Sequence, residues 1–169
     1  SAQYVTRTDA LSYTPTFGRR YIFSDLKRRS VSLETRLNVA FTPNLTLQLF
    51  AQPLLSSGDY LNYKQLLQPK SFDFDLLDEG TRSFIDPADG NRHLDFDGDG
   101  MSDVSFSDRD FNIRSLRMNM VMRWEYRPGS RVFFVWQQRR REREDTGSFS
   151  LARDLGNLFG GDAENIFIV

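Results

Sequence analysis

The strongest constraint on the fold is the run from Ser115 to Tyr126, in which apolar and polar side chains alternate without interruption. Successive side chains of a β-strand point to opposite faces, so this run predicts a strand with one apolar face and one mostly charged face. The apolar set is Leu116, Met118, Met120, Met122, Trp124 and Tyr126. The other set is Ser115, Arg117, Asn119, Val121, Arg123 and Glu125.

The same pattern occurs a second time in the chain. Ser30 to Phe41 aligns with Ser115 to Tyr126 without a gap, at a constant offset of 85 positions. Each copy is followed by a proline turn, Thr42-Pro43-Asn44 in the first and Arg127-Pro128-Gly129 in the second. Proline presets one turn angle, and glycine or asparagine tolerates the next. The repeat therefore predicts two similar antiparallel hairpins.

The composition of the chain excludes several classes of protein. The formal net charge is −1 and the mean hydropathy is −0.51, and no apolar run approaches the roughly 20 residues that a membrane helix needs. A helical membrane protein is therefore excluded, and no strong field attracts nucleic acid. The chain contains no cysteine, which excludes disulfides and thiol chemistry. A transmembrane β-barrel is not excluded, because the lipid-facing apolar residues of its strands alternate with polar ones, which lowers the mean hydropathy.

Short turns that alternate with long insertions are typical of an outer-membrane barrel, whose turns face the periplasm and whose long loops are extracellular. Phe41, Trp124 and Tyr126 lie at the turn ends, where an interfacial aromatic girdle is expected. The predicted fold is therefore all-β, with antiparallel up-and-down strands. The strands would form part of an outer-membrane β-barrel with long outer loops and short periplasmic proline turns.

A closed membrane barrel needs at least about eight strands, and the pattern supplies five or six. The chain, residues 1–169, is therefore expected to be a fragment of one barrel domain, with its remaining strands supplied by a longer chain or by partner chains. Its expected parts are hairpin 1 at about 21–55, a long acidic outer loop at about 56–112, hairpin 2 at about 113–143, an outer loop with a short helix at about 144–163, and the start of a further strand at 164–169.

A soluble β-protein shows the same alternation, because its apolar face packs a core and its charged face meets water. The alternative hypothesis is therefore a soluble, secreted, calcium-stabilised all-β binding or assembly module. Extraction separates the two, because a barrel fragment needs detergent whereas a soluble module stays in buffer.

The sharpest local motif is acidic and lies in the long loop. Carboxylates at its positions 1, 3, 5 and 9, with Gly100 at position 6, wrap oxygen ligands around one point, and position 7 offers a backbone carbonyl. Position 12 is Phe106, so the bidentate glutamate of an EF-hand is absent. Hard oxygen donors favour a structural Ca²⁺. The candidate metal ligands are Asp95, Asp97, Asp99, Met101 and Asp103. A solvated acidic loop tip is the alternative interpretation.

Signals for other functions are weaker. No nucleophile motif surrounds the single histidine, His93, so we expect the chain not to be an enzyme. A glycoside-active enzyme would need a carboxylate pair that one sequence does not identify. The Arg139 to Arg143 run could bind anionic lipopolysaccharide, or it could be a solvated strand end. Tyr60, Tyr63 and Phe72 could stack on sugars or pack within the loop.

Several short motifs occur in an order that resembles a known family. They are Phe17-Gly-Arg-Arg-Tyr21, Arg36-Leu-Asn38, Phe41-Thr-Pro43, Gln48 to Pro53, Ser57-Gly-Asp-Tyr60, Asn112 to Ser115 and Arg123-Trp-Glu-Tyr-Arg-Pro-Gly129. The chain resembles the C-terminal β-barrel region of a large outer-membrane family of undefined function. Members of that family carry an N-terminal domain similar to family-nine carbohydrate-binding modules.

The resemblance implies a location and an architecture. We expect the chain to be the C-terminal section of an outer-membrane protein of a Gram-negative-type bacterium, in contact with outer-membrane lipid and lipopolysaccharide. Its role would be structural, in transport, or in recognition of a glycan ligand at the cell surface. The resemblance supplies no catalytic residue.

Overall fold

The computed structural model describes residues 2–9 and 13–169, which form antiparallel strands with only short helices. The all-β antiparallel prediction is confirmed. The strands are β1 (Ala2–Asp9), β2 (Arg19–Ser32), β3 (Thr35–Thr42), β4 (Leu45–Leu66), β5 (Phe74–Leu76), β6 (Ser83–Ile85), β7 (Asn91–Leu94), β8 (Val104–Ser107), β9 (Phe111–Arg127), β10 (Ser130–Glu144) and β11 (Ala163–Ile168). The helices are 3-10 turns at Thr14–Thr16 and Asn157–Phe159 and an α-helix, α1, at Leu151–Gly156.

The larger sheet has the strand order β1-β2-β4-β9-β10-β11, and β3 and β5 also pair with β4. Paired strands are close in sequence, because β2 and β3 both pair with β4, and β5 to β8 are inserted between β4 and β9. The small strands β6, β7 and β8 form a separate antiparallel sheet. Among the described residues the longest helix has six residues, so none has the length or hydropathy of a bilayer-crossing helix.

Both proline turns close hairpins, as the sequence predicts. Thr42 pairs with Leu45 across the first turn, and Arg127 pairs with Ser130 across the second. Gly129 has φ +81°, the left-handed value that the third residue of a type II turn requires after proline. A register shift lies beside each turn, before the first and after the second, and adds local twist.

The first copy of the repeat differs from the second, because the structure divides it at Leu33 and Glu34, between β2 and β3. Leu33 donates its N–H to the carbonyl of Pro53 (3.2 Å). Pro53 has no N–H to return, so the ladder loses one bond at this point. The second copy lies wholly within β9, and its hairpin partner β10 contains no proline.

The chain forms two compact units. Unit 1 comprises Ser1–Arg28 and Gly58–Asp110. Its core contains side chains from the large sheet and from the small one, and the rings of Tyr63 and Phe106 are 5.9 Å apart. The fully buried apolar members are Val5, Ile22, Tyr63, Leu77, Leu94 and Phe96. The stretch from Tyr60 to Leu66 belongs to β4.

Unit 2 comprises Arg29–Ser57 and Phe111–Val169. Its buried apolar cluster is smaller and consists of Leu55, Leu116 and Leu158. A buried ionic network lies beside this cluster. Arg114 pairs with Asp154 of α1 (3.4 Å) and with Glu142 (3.2 Å) and Glu144 of β10. These bonds fix α1 to the sheet.

Candidate metal centre

The acidic motif occupies the connection between β7 and β8, and the unit 1 core holds both of its ends. Leu94 pairs with Val104, and the N–H of Asp103 donates to the carbonyl of Leu94 (2.9 Å). Arg82 supports the start of the loop, because its guanidinium donates to the carbonyls of Asp95 and Phe96 while it pairs with Asp75 (2.9 Å). The loop is therefore held at its base by the ladder, the core and one arginine.

Asp95 organises the interior of the loop. Its side chain is buried, and its two oxygens accept the N–H groups of Gly98 (2.6 Å) and Gly100 (2.9 Å). Both glycines have positive φ, +79° and +86°, which residues with a Cβ rarely adopt. The glycines thus allow the backbone to curl around the Asp95 carboxylate.

Burial pushes the pKa of the Asp95 carboxyl up, but the N–H groups of Gly100 and Gly98 outweigh burial, so this pKa lies below its ordinary value. Asp95 is therefore ionised at neutral pH. Each carboxylate oxygen has more than one acceptor direction, so the bonds from the two glycines leave capacity for a cation.

Three of the five predicted ligands come together. Asp95, Asp97 and Asp99 each place one carboxylate oxygen within 4.8 Å of the others. Asp97 accepts the N–H of Asp99 (3.1 Å), and Asp99 accepts the N–H of Met101 (2.7 Å). These turns aim the carboxylates toward one point. The donor set is all oxygen and anionic, which suits a hard cation such as Ca²⁺.

The other two predicted ligands are placed differently. The Asp103 carboxylate accepts the N–H of Phe96 (2.7 Å) and closes the loop at its base. It is not a member of the three-residue group among the described residues. The Met101 side chain is 69% exposed, in keeping with a role for its carbonyl rather than its thioether.

A second group of convergent ligand atoms was not predicted from the sequence. Asp86, Asp89 and His93 also bring one ligand atom each within 4.8 Å of one another. The available signal was the spacing of Asp89 and His93 across a turn that contains Gly90. The sequence does not show that Ser102 reaches the same imidazole (2.9 Å).

The residues considered for sugar or lipopolysaccharide binding are dispersed. Tyr63 is fully buried, Tyr60 packs against the unit 1 core, and Phe72 is exposed. Within the basic run, Arg140 donates to the carbonyls of Phe159 and Gly161. At least one arginine of the run, Arg140, therefore has a structural role, so the five residues do not all face an anionic ligand in the same way.

Comparison with known proteins gives one match. A family model described as a domain of unknown function (DUF5916) matches residues 1–169. No curated protein and no solved structure matches the chain.

Proposed function

The chain belongs to the DUF5916 family, and from this premise we propose that it is the C-terminal section of an outer-membrane β-barrel of a Gram-negative-type bacterium. The match confirms that the chain belongs to a family of unknown function. The observation that supports the finer proposal is an exposed apolar sheet face in unit 2.

Cross-strand pairing places the apolar residues of unit 2 on one face. Directly opposed residues of an antiparallel pair share a face. Leu37 is opposite Leu49, and Trp136 of β10 is opposite both Met120 and Phe167. Leu37 is 47% exposed and Phe167 is 73% exposed. A contiguous exposed apolar surface of this kind marks an interaction site, and we propose acyl chains as its partner.

The opposite face of the same strands is mostly polar. Asn38 is opposite Gln48, Asn119 is opposite Gln137, and Arg117 is opposite Arg139. In a spanning strand such side chains are inexpensive only where they meet water or a plug inside the barrel.

Strand lengths and edges agree with the proposal. The strands β4, β9 and β10 contain 22, 17 and 15 residues, more than the roughly 9 to 11 that a tilted strand needs to cross hydrocarbon. In the described part of the chain, β1 and β11 each pair with one neighbour only. Further strands, from a longer chain or from partner chains, would extend the sheet at these edges.

We also propose that the Asp95–Asp103 loop binds a structural Ca²⁺ on the extracellular side. Asp95, Asp97 and Asp99 would provide carboxylates and Met101 its carbonyl, and Asp103 would complete the shell through a water or after a small rotation. The ion would fix the shape of an exposed loop. Recognition of a glycan, contact with lipopolysaccharide and the absence of catalysis stay predictions without an assigned residue.

The test uses two neighbouring phenylalanines of β10. Phe134 is opposite Met122 on the apolar face, whereas Phe133 is opposite Arg123 on the polar face. In the full-length protein with its export signal, Phe134→Glu should reduce membrane assembly, because a carboxylate in contact with lipid costs on the order of 1–3 kcal/mol. Phe133→Glu should be tolerated, because its carboxylate would lie beside Arg123.

Assembly is measured as the fraction of protein that stays in washed membranes and needs detergent for release. A wild-type protein that stays in buffer after ultracentrifugation, with both variants behaving alike, would favour the soluble, secreted calcium-stabilised module.

A further inference from the structure

His93 lies on β7, beside the turn that connects β6 to β7. Its ring is stacked on Phe84 (centroids 5.5 Å apart, planes 11° apart), the residue directly opposite it on β6. The turn folds back through a bond from the N–H of Gly90 to the carbonyl of Asp86 (2.8 Å). This fold places the carboxylates of Asp86 and Asp89 at the imidazole edge.

Ser102 can hold the imidazole in one tautomer. Its hydroxyl oxygen lies 2.9 Å from Nδ1 of His93 and 3.2 Å from the carbonyl oxygen of Val104. When the hydroxyl donates its one hydrogen to Val104, its oxygen accepts a hydrogen from Nδ1. The neutral imidazole of this tautomer has its lone pair on Nε2.

In this tautomer the Nε2 lone pair faces a carboxylate. The two oxygens of Asp89 lie 3.3 and 3.1 Å from Nε2. A lone pair and a carboxylate repel each other at this distance unless a positive species lies between them. That species is either a second proton on the imidazole or a metal ion. Two ligands bound tetrahedrally to one Zn²⁺ are separated by about 3.3 Å, given metal–ligand bonds of about 2.0 Å.

We propose that Asp86, Asp89 and His93 form a binding site for a divalent transition-metal ion of the Zn²⁺ class. Nε2 of His93 and one oxygen from each aspartate provide three ligands, and water takes the fourth position. Ser102 orients the imidazole through Nδ1, the arrangement in which the non-coordinating nitrogen of a metal-bound histidine donates to a neighbour. The mixed nitrogen and oxygen donors distinguish this site from the all-oxygen Asp95 group, and the proposal does not depend on calcium binding there.

The chain contains one histidine, so one imidazole signal reports the site directly. The full chain, carrying no histidine tag, is titrated with Zn²⁺ or Co²⁺ at pH 7.5 in the presence of excess Ca²⁺. We expect a 1:1 complex with micromolar affinity or better, a shift of the imidazole NMR signals on Zn²⁺ binding, and a Co²⁺ absorption band typical of tetrahedral coordination.

Four variants test which residues bind the metal ion. His93→Gln should abolish it, Asp89→Asn should weaken it at least tenfold, and Ser102→Ala should weaken it by about tenfold. Asp73→Asn is the matched control, because it removes one exposed carboxylate of unit 1 that belongs to neither ligand group, and it should leave Zn²⁺ affinity within about twofold.

The outcome depends on two comparisons. The proposal is overturned if the wild-type imidazole signals do not respond to Zn²⁺, since a proton alone then occupies the space between His93 and Asp89. It is also overturned if His93→Gln binds Zn²⁺ as the wild type does, or if Asp73→Asn weakens binding as strongly as Asp89→Asn. Amide spectra of each variant verify that the small sheet is folded.

Discussion

In unit 1, β-strands from two sheets enclose a core of aromatic and aliphatic side chains that includes Tyr63 and Leu94. In unit 2, strands with a stronger alternation leave both faces largely open, and the buried groups include the ion pair of Arg114 with Asp154. The comparison shows that alternation identifies a strand and its two faces, but does not identify what covers them. In unit 1 protein covers the apolar side chains, and in unit 2 the described residues leave many of them uncovered.

The largest predicted effect concerns the ionic network of unit 2. Arg114→Ala leaves the fully buried Asp154 without its sheet-borne cation, and the free energy of unfolding should fall by about 3–5 kcal/mol. Arg131→Ala is the control, because its pair with Glu125 is exposed and should contribute less than about 1 kcal/mol. Denaturant unfolding in detergent measures both. Equal losses would mean that burial does not distinguish the two pairs.

The next prediction compares two leucines. Leu94 is fully buried in unit 1, and Leu94→Ala should cost about 2–5 kcal/mol because it leaves a cavity in the core. Leu37 is half exposed in unit 2, and Leu37→Ala should cost less than about 1 kcal/mol. Both losses are read from unfolding midpoints. A large loss at Leu37 would reveal that a protein surface covers the apolar face of unit 2.

Calcium removal should affect unit 1 and leave the hairpins intact. At a calcium concentration 100 times the dissociation constant, binding stabilises the folded unit by about 2.7 kcal/mol, which chelation removes. Limited proteolysis should then cut between Asp95 and Asp103. Asp97→Asn should reproduce this sensitivity, and Asp162→Asn, an exposed acid of unit 2, should not. Cleavage at the same rate with calcium and with chelator would contradict the calcium proposal.

The smallest predicted effect is a pH dependence in unit 1. The pKa of Asp110 is raised from 3.8 to about 6, mainly by burial and also by the nearby Asp108 and Asp59, although the N–H of Tyr60 and the charge of Arg92 oppose this rise. The folded state then binds more protons at Asp110 than the unfolded state between these values, so the contribution of Asp110 to stability is fully present below about pH 4 and is lost as the pH rises through 6.

Asp110→Asn tests this dependence, because the amide oxygen still accepts the N–H of Tyr60 (2.7 Å). The wild type should lose about 1 kcal/mol relative to the variant between pH 4 and pH 7, after allowance for solvent screening. Thermal unfolding of both proteins with chelator present measures the difference. Parallel pH profiles would show that Asp110 titrates normally.

Much of unit 2 could be predicted from the sequence because its information is local. The alternation from Ser115 to Tyr126 and the Pro128-Gly129 turn fix a strand, its faces and its register. The interruption at Leu33 was not predicted, although Pro53, which causes it, is visible in the sequence. Recognising it required the pairing partner of Leu33, which only the register provides.

Unit 1 was less predictable because its strands β5 to β8 have only three or four residues each and show little periodicity. The acidic motif was visible because its spacing is local, and the structure brings together Asp95, Asp97 and Asp99. The contact of Ser102 with His93 depends on the pairing of β7 with β8, so the sequence spacing of the two residues does not predict it. The location in an outer membrane stays a prediction.

Pro53 has a consequence for how the large sheet opens. Long ladders ordinarily fray from their ends, but a residue that cannot donate provides an internal starting point for local opening. Amide hydrogens of Thr35 and its neighbours on β3 should therefore exchange with solvent independently of those on β2. Local opening of the ladder can therefore start in the middle of the first hairpin, whereas the repeat copy in β9 should open only from its ends.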